Sequence, residues 1–592
     1  MDTAYIRLDI SGKRRIVTLF KDEQFPQGTG SSFLSQGGGT AVNVARKLVE
    51  CLIAEGVEYV FGIPGEENLE VIEAHASSSI RFITTRHEQG AAFMADVYGR
   101  LTGKAGVCLA TLGPGATNLI TGVADANSDG APLVAITGQV SSERMHITGH
   151  QYLDLAKLFE PITKRTKLVM RPDSITEIVR LAFKYAERDG ERGATHIDLP
   201  VDVAGMEVPD DMEPMRPQHS RPEYADLETI AQAAKLLSRA KCPVILAGAD
   251  ASRPGVDITR EIADLAHSAH IPVINTMMAK GIIRSDDPYA MGTIGIPQKD
   301  YQDLLLAQAD LLLCVGYDIV ELAPSRLDPR CDKTIIHVST TAAHVNRSYP
   351  PAIEVVGDMA ETLRHLAQLT ARIQEPEQAF RLRDEMLTEY AAYEADHSWP
   401  MKPQRILSDV RKCMRSGDIL LSDVGAHKMW IARHYLCDEP NTCLISNGFA
   451  SMGIALPGAL AAKLLRSDNR VLVVTGDGGF MMNCQELETA RREHLPFVTL
   501  VFNDSAYGLI QWKQQDRFGH TNKTDFTNPD FVQLAESMGC KGYRVRRADE
   551  LYENLEDAFR QDVPAVIDCP VDYGENMLLT QRLKAITGRH ET

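Results

Sequence analysis

The stretch Val471-Leu472-Val473-Val474-Thr475-Gly476-Asp477-Gly478-Gly479 decides the fold of the last third of the chain. Its apolar run predicts a strand buried on both faces, and the glycines predict a turn directly after it. A helix over Asn483–Arg492 and a second strand over Phe497–Phe502, followed by Asn503-Asp504, complete a βαβ unit with parallel strands. Asp477 and Asp504 should therefore leave the same edge of the sheet, where α/β proteins bind ligands.

The pair Asp477 and Asp504 is predicted to form a metal site. Two carboxylates that converge at one edge repel each other unless they share a cation. Hard oxygen ligands beside glycines that leave room for phosphate are typical of Mg²⁺ holding a diphosphate. An isolated Gly-Asp-Gly is more often an ordinary turn. The second acid at the end of the next strand makes the metal site the better interpretation.

The same alternation of strand and helix runs through most of the chain. Helical spacing over Val42–Glu55 and a long helix over Met359–Tyr390 flank short apolar segments, and Asp198–Val203 closes the first block. The other predicted strands are Tyr59–Gly62, Ile80–Thr84, Val107–Leu112, Leu133–Thr137, Pro243–Leu246, Pro272–Asn275, Leu311–Val315, Thr334–Val338, Ile419–Ser422 and Ala565–Asp568. This pattern predicts an α/β protein with three doubly wound parallel-sheet domains.

The boundaries follow from composition. We predict domains at 40–208, 224–390 (the long helix trailing at its end) and 405–592, each of ordinary size. The proline-rich segment 209–223 and the segment 391–404 are the expected linkers. Residues 1–39, which end in a Gly- and Ser-rich stretch, are expected to be a flexible N-terminal extension without a secretory signal.

Composition excludes several classes of partner. The 592 residues carry a formal net charge of −18, so wholesale binding to nucleic acid or an anionic membrane is not expected. No apolar run reaches the roughly 18 residues of a membrane helix. The 11 cysteines are scattered without CxxC pairs, which is typical of reduced thiols in a cytoplasmic enzyme.

Several motifs resemble those of thiamine diphosphate enzymes. Gly476-Asp477-Gly478 with Asn503-Asp504 resembles the metal–diphosphate motif of that class, and Arg86-His87-Glu88 and Gly113–Asn118 are similar to its N-terminal half. Over Ala41–Leu579 the chain is most similar to acetolactate synthases. That similarity is carried by Val60–Gly65, Asp423-Val424-Gly425, Met429-Trp430 and Ser451-Met452-Gly453.

The resemblance implies an architecture. The domain at 40–208 would bind the pyrimidine of the cofactor, the domain at 224–390 would be central, and the domain at 405–592 would bind the diphosphate and Mg²⁺. The protein would be a homodimer or homotetramer with active sites between subunits. Glu88 and Asp477 of one site would then come from different chains.

The resemblance also implies residue roles. Glu88 would hydrogen-bond the aminopyrimidine ring and promote proton transfer, whereas taken alone it would be a helix-start acid. Gly425, His427, Gly476, Gly478 and Gly479 would line the diphosphate, and the Ala506 carbonyl would join Asp477 and Asp504 around the metal. Met452 would support the cofactor from beneath. Gln151 and Lys164 match positions near the substrate. Taken alone, His427 and Met452 would be ordinary core residues.

The implied reaction decarboxylates one pyruvate and joins its two-carbon unit to a second pyruvate, giving 2-acetolactate and CO₂. Asp504, where biosynthetic enzymes usually carry Asn, resembles the catabolic, pyruvate-specific branch. So does Asp572–Leu579, with Leu578 about where a biosynthetic Trp falls. Gly316-Tyr317-Asp318 resembles the branch without FAD. By contrast, Gln511-Trp512 is similar to the biosynthetic branch, and Arg326–Arg330 resembles the FAD loop of that branch.

Alternatives remain open at this stage. Another thiamine diphosphate enzyme, such as a 2-keto acid decarboxylase or oxidase, would keep Glu88 and Asp477. An inactive, cofactor-binding regulatory paralogue is disfavoured, because Glu88, Asp477 and Asp504 are all present.

Overall fold

The structure is a computed structural model that describes residues 42–209, 211–218, 223–256, 258–295 and 299–590. The predicted N-terminal extension and part of the first linker lie outside these residues. Three six-stranded sheets, in which all strand pairs are parallel, form the molecule. The predicted fold class is therefore confirmed. The residue boundaries of the domains stay predictions.

The first sheet has the order β2-β1-β3-β4-β6-β5. Its strands are β1 (Tyr59–Gly62), β2 (Arg81–Thr84), β3 (Gly106–Ala110), β4 (Leu133–Gln139), β5 (Arg165–Leu168) and β6 (Ala194–Pro200). Its helices are α1 (Val44–Ala54), α2 (Leu69–Ala76), α3 (Glu88–Thr102), α4 (Pro114–Ser128), α5 (Leu155–Phe159), α6 (Ile175–Ala186) and α7 (Val201–Gly205). The segment expected at Asp198–Val203 is thus the end of β6 followed by a helical turn.

The second sheet has the order β12-β11-β10-β7-β8-β9. Its strands are β7 (Pro243–Ala247), β8 (Val273–Asn275), β9 (Ala290–Thr293), β10 (Leu311–Val315), β11 (Thr334–Ser339) and β12 (Ile353–Val356). Its helices are α8 (Leu227–Leu237), α9 (Thr259–Ala269), α10 (Tyr301–Gln308), α11 (Pro324–Leu327), α12 (Met359–Leu369) and α13 (Glu377–Ala391).

The prediction of one helix over Met359–Tyr390 is wrong, because the chain leaves the helix between α12 and α13. The break precedes Pro376, which stands at the N-cap of α13. Proline disfavours helical geometry in the residue before it and lacks the N–H that a continuous helix would need.

The third sheet has the order β14-β13-β15-β16-β18-β17, the same winding as the first. Its strands are β13 (Ile419–Ser422), β14 (Cys443–Ile445), β15 (Val471–Gly476), β16 (Val498–Asn503), β17 (Lys541–Arg544) and β18 (Ala565–Pro570). Its helices are α14 (Pro403–Cys413), α15 (Ala426–His434), α16 (Ala455–Leu465), α17 (Asp477–Asn483), α18 (Glu486–Arg492), α19 (Gly508–Phe518), α20 (Phe531–Ser537), α21 (Glu550–Ala558) and α22 (Gly574–His590).

The helix predicted over Asn483–Arg492 is two helices, and the first begins earlier, at Asp477. The glycines after Asp477 therefore belong to a helical turn rather than a loop. An acidic side chain in the first turn is favoured by the free backbone N–H groups there.

The first and third domains share a hydrophobic core. Helix α16 is buried over Ala455–Ala462 and packs against α3 of the first domain. A side chain at Gly458 would lie 2.6 Å from the Val97 methyl group, so the two helices approach closely. Close packing of this kind holds the two sheets in one relative arrangement. No helix in the described part of the chain is long and apolar enough to cross a membrane.

Candidate active site

The site is built at a reversal of strand order in the third sheet. The chain goes from β13 outward to β14 and returns to β15 on the other side of β13, so the loops after β13 and β15 diverge. Asp477 follows β15 directly, and Asp504 follows β16, which pairs in parallel with β15. The structure thus brings the two carboxylates to the carboxyl edge of the sheet, where open α/β sheets bind ligands.

Asp477 is 1% exposed and hydrogen-bonded on both carboxylate oxygens. Oδ1 accepts the Gly478 N–H at 2.8 Å, while Oδ2 accepts the Ser505 N–H at 2.6 Å and the Asn528 side-chain amide at 2.7 Å. These contacts fix the orientation of the carboxylate. Burial still raises its pKa above the usual range.

Asp504 lies in the electrostatic field of Asp477. Burial, together with repulsion by Asp477, raises the pKa of Asp504 to about 8. A bound cation would relieve both effects. Among the described residues, no group of three or more His, Cys, Asp or Glu side chains is placed to hold a metal ion. A metal here would rely on the two carboxylates and on backbone or ligand oxygens.

A cavity of about 180 Å³ opens at this edge. It brings together every residue predicted to hold the cofactor or metal except Glu88. Its lining residues are Val424, Gly425, Ala426, His427, Ala450, Met452, Gly476, Asp477, Gly478, Gly479, Asp504, Ala506, Tyr507, Gly508, Leu509, Ile510 and Tyr573. Tyr573, which directly precedes α22, was not predicted as a site residue, although it lies in the segment Asp572–Leu579 that resembles the catabolic branch.

Glycines keep the floor of the cavity open. A Cβ at Gly479 would lie 2.4 Å from the Asp423 carboxylate, and one at Gly478 would lie 2.9 Å from the Tyr507 ring. His427 is 1% exposed, and its Nε2 has no hydrogen-bond partner among the described residues. Burial lowers the pKa of His427 to about 3, so the ring is neutral at the cavity wall.

Met452 lies on a turn, and the residues directly before and after it make backbone hydrogen bonds to buried side chains. The N–H of Gly453, whose φ of +89° favours glycine, donates to Asp423 at 2.8 Å, and the Gly453 carbonyl accepts from Asn483 at 2.9 Å. The Ser451 N–H donates to Asp125 of the first domain at 3.1 Å. Asp423, Asn483 and Asp125 were not predicted as site residues. Only Asp423 stood in a recognised motif.

The loop that leads to this turn is also held by the first domain. Asp125 accepts the Ser446 hydroxyl at 2.8 Å, and Asp129 accepts the Asn447 N–H at 3.0 Å. Both carboxylates pair with Arg100, at 2.8 and 2.9 Å. Helix α4, which contains Asp125 and is followed directly by Asp129 at its C-cap, therefore positions a loop of the third domain.

Glu88 lies in a separate cluster, at the carboxyl edge of the first sheet. It is the first residue of α3 and 9% exposed, and its Oε2 accepts the Asn118 amide at 2.9 Å. Gly115 lies close by, since a Cβ there would be 3.3 Å from Glu88 Oε1. Gln151 contacts Gly113 at the same edge. Glu88 does not line the cavity described above.

Lys164 lies away from Glu88 and Gln151, at the opposite edge of the first sheet. It directly precedes β5, and its N–H donates to the Ala194 carbonyl at 2.7 Å at the start of β6. Its side chain lies next to Gly193. Because β5 and β6 are parallel, this is the amino edge of the sheet, opposite Glu88 and Gln151. The sequence pattern gave no strand at β5, so this placement could not be predicted.

Two residues used to compare branches of the family also lie outside the cavity lining. Leu578 on α22 is 49% exposed. Trp512 on α19 is buried, stacks on Trp430 and donates from Nε1 to Thr580 at 2.9 Å. The side chains of α19 that reach the cavity are those of Leu509 and Ile510.

Comparison with known families agrees with this geometry. The model described as "Thiamine pyrophosphate enzyme, N-terminal TPP binding domain" matches residues 42–158, the central-domain model of the same class matches 230–366, and the C-terminal TPP binding domain matches 423–569. The chain is thus a thiamine pyrophosphate (thiamine diphosphate) enzyme.

Within that class, the chain is similar to acetolactate synthases over most of its length. It is 36% identical to acetolactate synthase of Bacillus subtilis over 546 residues, which cover 90% of this chain and 94% of that protein. It is 36% identical to the catabolic acetolactate synthase of Raoultella terrigena (90% and 96%) and 32% identical to acetolactate synthase isozyme 2 large subunit of Escherichia coli (90% and 97%). The chain belongs to the acetolactate synthase family.

Proposed function

We propose that the protein is an acetolactate synthase with thiamine diphosphate and Mg²⁺ as cofactors. Two pyruvates and one proton would give one 2-acetolactate and one CO₂. The observation that carries the proposal is the cavity that joins Asp477, Asp504, His427 and the glycines at the carboxyl edge of the third sheet. When bound, thiamine diphosphate supplies the electron sink that lets a 2-keto acid lose CO₂.

The residues present fit this cofactor. Asp477 and Asp504 are hard oxygen donors suited to Mg²⁺, and the Ala506 carbonyl belongs to the same cavity. The raised pKa of Asp504, caused by burial and by repulsion from Asp477, supports this assignment, because a bound cation would stabilise both carboxylates. The unpartnered Nε2 of buried His427 offers a hydrogen bond to a bound group. The glycines at 425, 476, 478 and 479 would admit the diphosphate.

Glu88 would hold and transfer a proton at a ring nitrogen of the aminopyrimidine. One of its oxygens is oriented by Asn118, which leaves the other free to make that hydrogen bond. Met452 would support the cofactor from beneath, on a turn held by Asp423 and Asp125. Gln151 would lie near the substrate beside Glu88. For Lys164 we propose no contact with substrate, because it lies at the other edge of its sheet.

We further propose that two copies of the chain form each active site. In one chain, Glu88 does not reach the cavity that contains Asp477, so the second copy would contribute its Glu88. Exposed apolar side chains around the cavity support a partner surface there: Tyr507 is 41% exposed and Ile510 is 46% exposed.

Subunit mixing tests this arrangement. Glu88→Gln and Asp477→Ala should each be inactive alone, since each destroys both sites of a homodimer. Unfolded together and refolded as a mixture, they should recover about a quarter of wild-type activity, because half of the dimers then contain one intact site. Refolded wild type is the control. No recovery in a mixture that forms heterodimers would show that each site lies within one chain.

Product analysis tests the reaction. The purified protein with thiamine diphosphate, Mg²⁺ and pyruvate should form 2-acetolactate. Acetaldehyde alone would instead identify a decarboxylase, acetyl phosphate would identify an oxidase, and no product would favour the regulatory paralogue.

A competition assay tests the acceptor preference. Pyruvate and 2-ketobutyrate at equal concentrations should give mainly acetolactate if the preference is that of the catabolic branch. Leu578 does not line the cavity. The prediction that pyruvate is the preferred acceptor is therefore based on Asp504 and on the family resemblance, and not on a contact of Leu578 with the acceptor.

We propose that the reaction occurs in the cytoplasm and without FAD. All 11 cysteines lie within the described residues as free thiols, and nine of them are buried, which suits a reducing compartment. The resemblance of Gly316-Tyr317-Asp318 to the branch without FAD supports the second point. A colourless purified protein would agree with it, whereas flavin absorbance would contradict it.

A further inference from the structure

The start of helix α3, which presents Glu88, lacks part of its usual local capping. The N-cap is His87, whose ring Nδ1 accepts the Gln89 N–H at 3.1 Å. In a capping box the residue at the third helical position is Glu or Gln, and its side chain accepts the N–H of the N-cap residue. Here that third position is Gly90, which has no side chain.

A carboxylate from another domain occupies the place of the missing side chain. Oε1 of Glu486, on α18 of the third domain, accepts the His87 N–H at 3.0 Å and the Arg86 N–H at 3.1 Å. Oε2 accepts the Arg86 N–H at 3.2 Å and the Thr489 hydroxyl at 2.6 Å. A Cβ built on Gly90 would lie 2.7 Å from Glu486 Oε1. The absence of a side chain at Gly90 therefore leaves room for the Glu486 carboxylate next to the His87 N–H group.

The environment of Glu486 marks it as a structural acceptor. The residue is 0% exposed, and its carboxylate accepts four hydrogen bonds from three protein donors, the Arg86 N–H, the His87 N–H and the Thr489 hydroxyl. Burial raises its pKa to about 7. A neutral carboxyl group retains an accepting oxygen, so the hydrogen bonds to the backbone do not depend on a full negative charge.

We propose that Glu486 is a positioning residue for Glu88. It completes, from the third domain, the capping box of the helix whose first residue is Glu88. This inference deepens the proposed function, because it assigns what holds the proton-transferring carboxylate in place. Because these hydrogen bonds join the third domain to the first, they also hold α18 next to the Glu88 turn.

Two substitutions of Glu486 separate capping from charge. Glu486→Leu removes the acceptor of the Arg86 and His87 N–H groups. Glu486→Gln keeps an accepting oxygen at similar size and removes the charge. We expect Glu486→Leu to lower kcat and kcat/KM together by about tenfold or more, and Glu486→Gln to stay close to wild type. Glu488→Leu, on the same helix, is the matched control, because it removes ion pairs with the side chains of Arg86 (3.9 Å) and Arg492 (3.3 Å) and leaves the backbone N–H contacts of Glu486 in place.

Amide hydrogen exchange of the purified homo-oligomer, without cofactor or substrate, measures the cap directly. Exchange in the peptide that covers residues 84–94 should speed up in Glu486→Leu but not in Glu486→Gln or Glu488→Leu. Gly90→Ala should have the same effect as Glu486→Leu, because its methyl group displaces the carboxylate. The double variant Glu486→Leu with Gly90→Ala should then be no worse than either one.

The result that overturns the proposal is unchanged exchange and unchanged kcat in Glu486→Leu. Equal loss of activity in the Leu and Gln variants, with unchanged exchange, also overturns it, because the charge would then be what matters. If Glu486→Leu does not fold, Gly90→Ala with unchanged exchange overturns it instead. A wild-type protein that forms no acetolactate would refute the proposed function, while the exchange measurement would still decide the capping role.

Discussion

At the scale of the residue, the carboxylate of Asp477 accepts hydrogen bonds from the protein and, in our proposal, also binds the metal ion. Three protein N–H groups donate to its two oxygens, and a carboxylate has about four lone-pair positions. One position therefore remains for a metal ion, and the three donors fix its direction. Such fixed ligands are what Mg²⁺, with its strict octahedral geometry, requires.

Removal of this ligand should release the cofactor. Asp477→Ala loses the metal ligand and exposes the Ser505 and Asn528 donors, so thiamine diphosphate should not stay bound through gel filtration. Asp504→Asn is the matched control: its amide oxygen can still bind the metal, and the repulsion from Asp477 disappears. Bound thiamine diphosphate is measured in each protein. Retention by Asp477→Ala equal to that of wild type would contradict the metal assignment.

The role of Glu88 can be tested with the smallest change. Glu88→Gln keeps the Asn118 contact through its amide oxygen but cannot exchange a proton with the cofactor ring. We expect turnover to fall about 10²- to 10⁴-fold at saturating cofactor, the usual contribution of general acid–base catalysis. An unchanged melting temperature would show that the fold is intact. Activity above about half of wild type, far outside that range, would refute the assignment.

At the scale of the element, helix α4 connects the two cofactor-related regions. Its first two turns lie beside Glu88, through Gly115 and Asn118. Asp125 in its last turn and Asp129 at its C-cap hold the loop before Met452. One helix therefore contacts both Glu88, for which we propose proton transfer, and the loop before Met452, for which we propose support of the cofactor.

This connection predicts different effects for two similar carboxylates. Asp125 and Asp96 are both 0% exposed and both pair with Arg100, but only Asp125 contacts the loop. In Asp125→Asn the amide NH₂ must face either Arg100 or the Ser451 N–H, which costs about 1–3 kcal/mol. Thiamine diphosphate affinity should therefore fall by about tenfold or more.

Asp96→Asn is the control for the loss of a buried charge beside Arg100. Asp96 pairs with Arg100 at 2.6 Å and has no contact with the loop that Asp125 holds. Its affinity for the cofactor should match wild type. Titration of each apo-protein with thiamine diphosphate and Mg²⁺ compares them. An equal loss in both variants would mean that Asp125 acts only through Arg100.

At the scale of the whole molecule, the central domain meets the third domain at Glu321. The carboxylate of Glu321 accepts the Ala249 N–H at 2.7 Å and the Thr276 hydroxyl, and its backbone carbonyl accepts the Asn447 amide at 2.8 Å. Burial raises the pKa of Glu321 to about 8. The folded protein therefore holds a proton here that the unfolded chain releases above its ordinary pKa near 4.5.

The contribution of Glu321 to stability should consequently fall as the pH rises from about 5 to about 8, because in this window its carboxyl group binds a proton in the folded state but not in the unfolded state. The contribution of Glu321 is present below pH 4.5 and lost above pH 8, and is on the order of 1–4 kcal/mol. Glu321→Gln should remove it and raise the melting temperature at pH 8 relative to wild type, with little change at pH 5. An identical pH dependence in both proteins would show that Glu321 does not titrate in this range.

The sequence alone determined the fold class and the third-domain half of the site. Buried parallel strands appear as short apolar runs between helices, and the residues that follow β15 and β16 must share an edge when the strands are parallel. The placement of Asp477, Asp504 and the glycines that follow β15 around one region follows from these local rules. Family resemblance added Glu88, Gly425, His427, Met452 and Ala506, which no local pattern distinguishes from turn, core or helix-start residues.

Only the tertiary structure decided which distant residues hold these groups. Glu486 caps the Glu88 turn from about 400 positions away, and Asp125 holds Ser451 from more than 300. Such contacts leave no periodicity or motif, because they depend on how separately folded sheets pack through α3 and α16. Lys164 shows the same limit: its distance from the site depends on the direction of β5, a strand without an apolar run. Local spacing therefore predicts which residues follow the strands at one edge of a sheet. Packing between domains decides which distant residues contact them there.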